Sequence, residues 1–136
     1  MTAFFQQIKA AGGRMTKIRQ AILEILWKNE CLLSNARIAE KLRRKKIYPN
    51  RSTLFRELVF LTKNKIIRKD VIAGANYYEI RQDHHHHLIC LNCNDIIKVK
   101  LGHHLKRHEM FLARQNNFKI TGHLLNFYGY CKKCQI

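Results

Sequence analysis

Two Cys-x-x-Cys pairs constrain this chain more than any other feature of its sequence. They are Cys90-x-x-Cys93 and Cys131-x-x-Cys134. Two intervening residues let both thiolates of a pair face one ion, and four thiolates close the tetrahedral site that structural zinc occupies. A redox-active pair would account for only one of the two motifs. The spacing therefore predicts that the segment 90–134 folds around a structural zinc ion.

Four consecutive histidines, His84 to His87, precede the first cysteine pair. If the run continues into the apolar "HLICL", the segment is a strand and alternate side chains face opposite sides. One side then carries His84 and His86, and the other carries His85 and His87. Since histidine is the commonest metal ligand, the run can serve two metal sites. The alternative is a polar hinge whose histidines only fill space. Further candidate ligands are Glu79, His103, His104, His108, Glu109 and His123.

The N-terminal part of the chain predicts four helices followed by a β-hairpin. The elements are a short helix at 3–11, a helix from Thr16, one capped by Ser34, one capped by Asn50 or Ser52, and strands within 64–71 and 75–80. Helices followed by a hairpin are typical of a winged helix-turn-helix. In that fold the last helix enters the major groove, and a basic hairpin lies against phosphates.

The C-terminal part predicts a small α/β unit. Its elements are the strands "HHLICL" and "DIIKVKL", a helix at 103–115, and a long strand over 118–131. About 50 residues bury too little apolar surface to be stable alone, so a zinc ion or a partner chain is expected. The overall expectation is an α+β chain, with a winged helix-turn-helix DNA-binding domain at 1–80. A small α/β dimerisation and metal-binding domain follows at 81–136.

The chain is strongly basic, with 26 lysines and arginines against 9 acidic residues and a net charge of +17. Residues 1–83 carry 18 basic and 7 acidic side chains, a net charge of +11. Such an excess favours a polyanionic partner, most simply nucleic acid. A generally basic host proteome is the alternative explanation.

Several classes of protein are disfavoured by the sequence. There is no run of 18 apolar residues and no signal-peptide pattern at the N-terminus, so we expect a cytoplasmic protein without a membrane partner. Neither a Ser/His/Asp set nor a carboxylate pair is evident, and four cysteines leave no open position on a metal. The sequence therefore does not predict an enzyme.

Five stretches, taken in order and spacing, resemble the ferric uptake regulator superfamily of bacterial metal-responsive repressors. They are "GGRMTKIRQAILEIL", "STLFRELVFL", "NYYEI", "HHHHLICLNCNDII" and "HLLNFYGYCKKC", and the match spans about residues 8–134. The resemblance implies a homodimer that binds palindromic, AT-rich double-stranded operator DNA when a regulatory divalent metal, Fe, Zn or Mn, is present. It also implies structural zinc at the four cysteines.

The resemblance leaves the type of regulator open. An iron-homeostasis regulator leads on the overall motif match, and a zinc-sensing or peroxide-sensing member is the alternative. A further alternative, from a different class, is a zinc-stabilised nucleic-acid-binding protein with blunted metal sensing. The string "STLFREL" favours a DNA-binding repressor, because an RNA-binding module does not need a recognition helix.

The resemblance also implies which residues meet DNA. Arg14 matches a basic residue of the minor groove, and Arg19 matches an arginine that contacts the DNA backbone. Ser52, Phe55 and Arg56 match the base- and backbone-contacting positions of the recognition helix. Phe55 replaces the usual tyrosine, which keeps an apolar face for a thymine methyl group and loses a hydroxyl.

Two regulatory metal sites are implied in the same way. Residues that match the first site are Glu79, His85 and His87, and those that match the second are His84, His86 and His123. In the first site, Leu32 stands where the family has a histidine, and Lys98 stands where it has a glutamate.

The second site departs from the family too. His86 replaces an aspartate, and the family's glutamate aligns with Lys106 or Leu105. Fewer carboxylates favour Zn, Ni, Co or Cu over Fe(II) or Mn(II). A lysine at a ligand position either repels a cation or occupies its place electrostatically.

Overall fold

The structure is a computed structural model that describes residues 1–80 and 82–135, with the side chain of His104 left aside. It contains helices and two three-stranded sheets, which confirms the α+β expectation. The chain divides into two compact units, Met1–Gln82 and Asp83–Ile136.

The first unit contains the four predicted helices, and polar side chains mark where three of them begin. The helices are α1 (Thr2–Ala10), α2 (Lys17–Asn29), α3 (Asn35–Arg44) and α4 (Arg51–Lys63). Thr16, Ser34 and Asn50 each accept a hydrogen bond from the backbone N–H three residues later, at 3.2, 3.3 and 2.8 Å. Such caps satisfy N–H groups that a helix leaves unpaired. Of the two alternatives for α4, Asn50 is the cap.

The core of this unit is built from apolar side chains that recur at helical spacing. Residues with no exposed surface come from every helix: Ile8, Ile22, Leu23, Leu26, Ile38, Leu42, Leu58 and Leu61. Burying each such side chain stabilises the fold by roughly 1.5–3 kcal/mol.

A small antiparallel sheet completes the first unit. Its strands are β1 (Leu33–Ser34), β2 (Arg68–Ile72) and β3 (Ala75–Glu79), in the order β1-β3-β2. The turn between β2 and β3 consists of Ala73 and Gly74, whose φ angles are +49° and +77°. Positive φ at both positions matches the right-handed twist of a two-residue hairpin. The predicted hairpin is therefore present. The sequence did not predict β1, because a strand of two residues is too short to show alternation.

The second unit contains a sheet and one helix. Its elements are β4 (His86–Cys90), β5 (Ile96–Val99), α5 (His104–Gln115) and β6 (Asn126–Gly129). The sheet order is β5-β4-β6, with β5 antiparallel and β6 parallel to β4. None of the described helices has the length and apolarity needed to cross a membrane.

The predicted long strand over 118–131 is wrong for most of its length. Only Asn126–Gly129 forms a strand, and it pairs with residues 87–90 of β4. Asn126 pairs with His87, and β4 begins at His86. Only one further residue of β4 is therefore available to pair with the residues before Asn126. Two features of the sequence also break the alternation that a strand requires. One is Gly122, and the other is the pair of consecutive apolar residues Leu124 and Leu125.

Candidate metal centres and nucleic-acid interface

The four cysteines of the two pairs come together at one end of the second sheet. Cys90 is the last residue of β4, and Cys131 follows β6 closely because β4 and β6 are paired there. The turn after each strand brings Cys93 and Cys134 to the same place, and the four Sγ atoms all lie within 4.8 Å of one another. The sequence prediction of one four-cysteine cluster is matched by this geometry.

Distances inside the cluster fit a zinc ion. The Sγ atoms of Cys93 and Cys131 are 3.7 Å apart. Thiolates at the corners of a tetrahedron with Zn–S bonds of 2.3 Å are separated by about 3.8 Å. The Sγ of Cys90 accepts the backbone N–H of Cys131 at 3.3 Å, and the Sγ of Cys134 accepts the side-chain amide of Asn92 at 3.3 Å. Such outer hydrogen bonds orient thiolate ligands.

The pKa values of the Cys90 and Cys93 thiols are shifted in opposite directions by their surroundings. Backbone N–H groups, first that of Cys131 and then that of Cys93, lower the pKa of Cys90 to about 6. The N–H of Asp95 lowers the pKa of Cys93, but the neighbouring thiols, Cys90 first, outweigh it and raise this pKa to about 12. Since a divalent cation stabilises several thiolates at once, the donor set fits zinc.

A second cluster joins His84, His86 and His123. The Nε2 atom of His123 lies 3.1 Å from Nε2 of His84 and 3.5 Å from Nε2 of His86. Nitrogen ligands at 2.0–2.1 Å from a tetrahedral ion are separated by about 3.4 Å. Both separations from His123 are therefore close to the spacing that a single metal ion requires, and the ligand atoms of all three residues lie within 4.8 Å of one another.

Glu109 orients the third histidine of this cluster. Its Oε1 accepts a hydrogen bond from Nδ1 of His123, which directs Nε2 of His123 toward the other two rings. A carboxylate on the far nitrogen is the usual support of a metal-bound histidine. The resemblance placed Lys106 or Leu105 at the family's glutamate position. Glu109, three residues beyond Lys106 on α5, brings a carboxylate to this cluster as the partner of His123.

His85 and His87 lie together on the other side, as the alternation predicted. Their ring centroids are 4.9 Å apart, and each residue is 1% exposed. Nδ1 of His87 lies 3.2 Å from the amide oxygen of Asn126, and Nδ1 of His85 lies 3.1 Å from Oδ1 of Asp83. Because both partner atoms are acceptors, each Nδ1 is a donor, and each Nε2 is the ring nitrogen left to face a ligand.

Two lysines share the carboxylate that holds His85. Nζ of Lys98 lies 3.0 Å from Oδ1 of Asp83, and Nζ of Lys100 lies 2.8 Å from Oδ2. The ammonium of Lys100, followed by that of Lys98, holds the pKa of Asp83 well below its usual range. Glu79, which belongs to the first unit, is fully buried at the end of β3. Leu32 is buried as well, so its position offers core packing and no ligand.

One face of α4 is open to solvent. Ser52 and Arg56 are exposed, and Phe55 is 56% exposed. They lie three and four residues apart, so they share one side of the helix. Arg14, which precedes α2, is exposed too. The structure thus leaves four of the five predicted DNA-contacting residues accessible.

Arg19 is the exception. It is 8% exposed, and its guanidinium donates to both oxygens of Glu57, at 2.6 and 3.2 Å. It also donates to the carbonyl oxygen of Arg14 and lies 4.0 Å from the ring centroid of Phe60. These partners hold the guanidinium of Arg19 inside the fold, and its contact with the DNA backbone stays a prediction. The missing signal was Glu57, whose approach depends on how α4 packs.

Comparison with known proteins gives a consistent family assignment. The model of the ferric uptake regulator family matches residues 10–128. A ferric uptake regulation protein of Vibrio anguillarum is 32% identical to the chain over 132 residues, covering 93% of the chain and 86% of that protein.

Two solved structures of ferric uptake regulators support the same family assignment. The ferric uptake regulator of Helicobacter pylori superposes with a TM-score of 0.84 at 26% identity, over 99% of this chain and 91% of that one, and it has three functional metal-binding sites. The ferric uptake regulator of Vibrio cholerae gives a TM-score of 0.80 at 29% identity, over 93% of this chain and 98% of that one.

Proposed function

The chain belongs to the ferric uptake regulator family, and on that premise we propose that it is a metal-responsive transcriptional repressor. It binds palindromic, AT-rich operator DNA as a homodimer, and it binds more tightly when a regulatory ion is present. The protein is a binding module rather than an enzyme, and the cysteine cluster holds a zinc ion that stabilises the second unit.

The convergence of three Nε2 atoms, from His84, His86 and His123, is the observation that carries this proposal. His84 and His86 stand at the entrance to β4, and His123 comes from the segment that precedes β6. An ion at this point ties these two segments together, so metal supply is linked to the conformation of the second unit. We assign the regulatory ion to this cluster.

The DNA-binding role is supported by α4 and by charge. Its exposed side chains Ser52, Phe55 and Arg56 combine a hydroxyl, an apolar ring and a guanidinium, which suit base edges, thymine methyl groups and phosphates. The net charge of +11 on residues 1–83 favours association with DNA. Arg14 is the further candidate for a DNA contact.

Dimerisation is supported by an apolar face of the second sheet. Leu88 on β4 stands opposite Ile97 on β5 and beside Phe127 on β6, so the three side chains share one face. They are 41%, 46% and 41% exposed in the single chain. Covering such a patch with a second copy removes apolar surface from water.

Two metals are candidates for the regulatory ion. An iron-sensing regulator agrees with the relatives, several of which are ferric uptake regulation proteins. A zinc-sensing regulator is the second candidate, and the donor set favours it, because three imidazoles suit zinc better than Fe(II) or Mn(II).

Fluorescence anisotropy with two labelled duplexes tests the proposal. One duplex carries a palindromic AT-rich site and the other carries the same bases scrambled. Protein that holds only its cysteine zinc is titrated with and without added Fe(II), Mn(II) or Zn(II). We expect preference for the palindrome, strengthened by metal; equal binding of both duplexes in every state would refute a sequence-specific repressor.

A further inference from the structure

The buried pair His85 and His87 has two cationic side chains nearby, Lys98 and Lys100, on the carboxylate that binds His85. Oδ1 of Asp83 accepts from both Nδ1 of His85 and Nζ of Lys98, at 3.1 and 3.0 Å. The other oxygen of Asp83 binds Nζ of Lys100 at 2.8 Å. One carboxylate is thus shared by an imidazole and two ammonium groups.

Sheet register places the ammonium of Lys98 on the side of these imidazoles. In the antiparallel pairing of β4 and β5, His87 stands directly opposite Lys98. Directly opposed residues project from the same face of a sheet. The side chain of Lys98 is 25% exposed and that of Lys100 is 70% exposed. Lys98 is therefore the inner cation of the pair and Lys100 the outer one.

The charge balance disfavours a divalent ion at this point. The described ion pairs of Asp83 bring one negative charge against two positive ones before any ion arrives. A divalent ion would add more positive charge beside two imidazoles that are shielded from water, where repulsion from the ammonium of Lys98 is strong.

We propose that the ammonium of Lys98 takes the place of a divalent ion beside His85 and His87. This inference rests on the proposed function and refines it. The pair His85 and His87 is held together permanently by an internal cation, and the cluster of His84, His86 and His123 alone responds to metal supply. Each protomer then binds two ions, one of them at the cysteines.

Counting bound ions in the full-length dimer tests this proposal. Native mass spectrometry during titration with Zn(II) should show wild-type protein saturating at two ions per protomer. Lys98→Glu replaces the cation with a carboxylate ligand and should gain a third ion, bound at least about a hundredfold more tightly than by the wild type. Lys100→Glu is the matched control, because Lys100 binds the same carboxylate from the solvent side. It should stay at two.

Wild-type protein that binds three ions per protomer with comparable affinity overturns the proposal. So does a folded Lys98→Glu variant that stays at two ions. If Lys98→Glu does not fold by circular dichroism, Lys98→Met decides, since it removes the ammonium and keeps the aliphatic stem. It should take up a third ion, and saturation at two would overturn the proposal. The count of ions is independent of operator binding, so failure of the repressor assignment is seen separately in the anisotropy assay.

Discussion

Arg19 and Glu57 join the first turn of α2 to the middle of α4 through two hydrogen bonds, Nε to Oε2 at 2.6 Å and Nη2 to Oε1 at 3.2 Å. Their side chains are only 10% and 16% exposed. Because Glu57 follows Arg56 on α4, this pair fixes the orientation of the helix face that we assign to DNA.

Loss of this pair should destabilise the first unit. Arg19→Ala leaves the Glu57 carboxylate partly buried without its partner, and we expect unfolding free energy to fall by about 2–3 kcal/mol. Urea denaturation measures this change. Arg44→Ala is the control, since its pair with Glu40 has side chains 72% and 36% exposed and should contribute less than about 0.5 kcal/mol. Equal losses in both variants would contradict a structural role for Arg19.

Gly13 should not tolerate a side chain. A Cβ atom there would lie 2.7 Å from Cζ of Phe60 and 3.0 Å from Nη1 of Arg19. Gly13→Ala should therefore cost about 1–3 kcal/mol by overpacking and should weaken operator binding. Gly122→Ala meets nothing within 4 Å and should leave the melting temperature unchanged. A Gly13→Ala variant as stable as wild type would show that α4 adapts easily.

Removing one thiolate should remove the structural zinc. We expect Cys93→Ser to lose its zinc and to dimerise weakly, because the second unit is small and its folding is coupled to the ion. Zinc content and sedimentation velocity measure both effects. Cys31→Ser is the control, since Cys31 lies outside the cluster of four. A Cys93→Ser protein with full zinc and a normal dimer would refute the assignment.

Neutralising Glu109 should weaken binding of the regulatory ion, although the change removes no ligand of that ion. Glu109→Gln keeps the shape of the side chain but loses the charge that supports His123. Metal affinity should fall by roughly 10–100-fold, as measured by competition with a chelator. His108→Ala, an exposed neighbour on α5, should bind metal normally. Unchanged affinity in Glu109→Gln would show that the carboxylate has no part in the site.

Local patterns in the sequence predicted much of the candidate site. Strand alternation alone separated His84 and His86 from His85 and His87, because the period of a strand is fixed at two residues. The two-residue spacing of the cysteine pairs predicted their cluster for a similar reason. Both signals lie within a few residues of chain.

Such local patterns could not predict contacts between elements that are far apart in the chain. Arg19 was assigned to DNA by its match to a family arginine, and its bond to Glu57, 38 residues away, could not be read from the sequence. Glu109 was only one of several available ligands, because its approach to His123 depends on the path between α5 and β6. Lys98 was visible as a substitution at a ligand position, but its partner Asp83 emerged only from the pairing of β4 with β5.

Operator affinity measured with and without a regulatory ion tests the central claim most directly. Wild-type protein that holds only its cysteine zinc should bind the palindromic duplex more tightly than the scrambled one. Added metal should raise that affinity about tenfold, or about 1.4 kcal/mol. The gain is modest because the ammonium of Lys98 already takes the place of one metal ion in each protomer. His86→Ala should bind without this response. A protein that binds both duplexes equally, with metal and without it, would contradict the account.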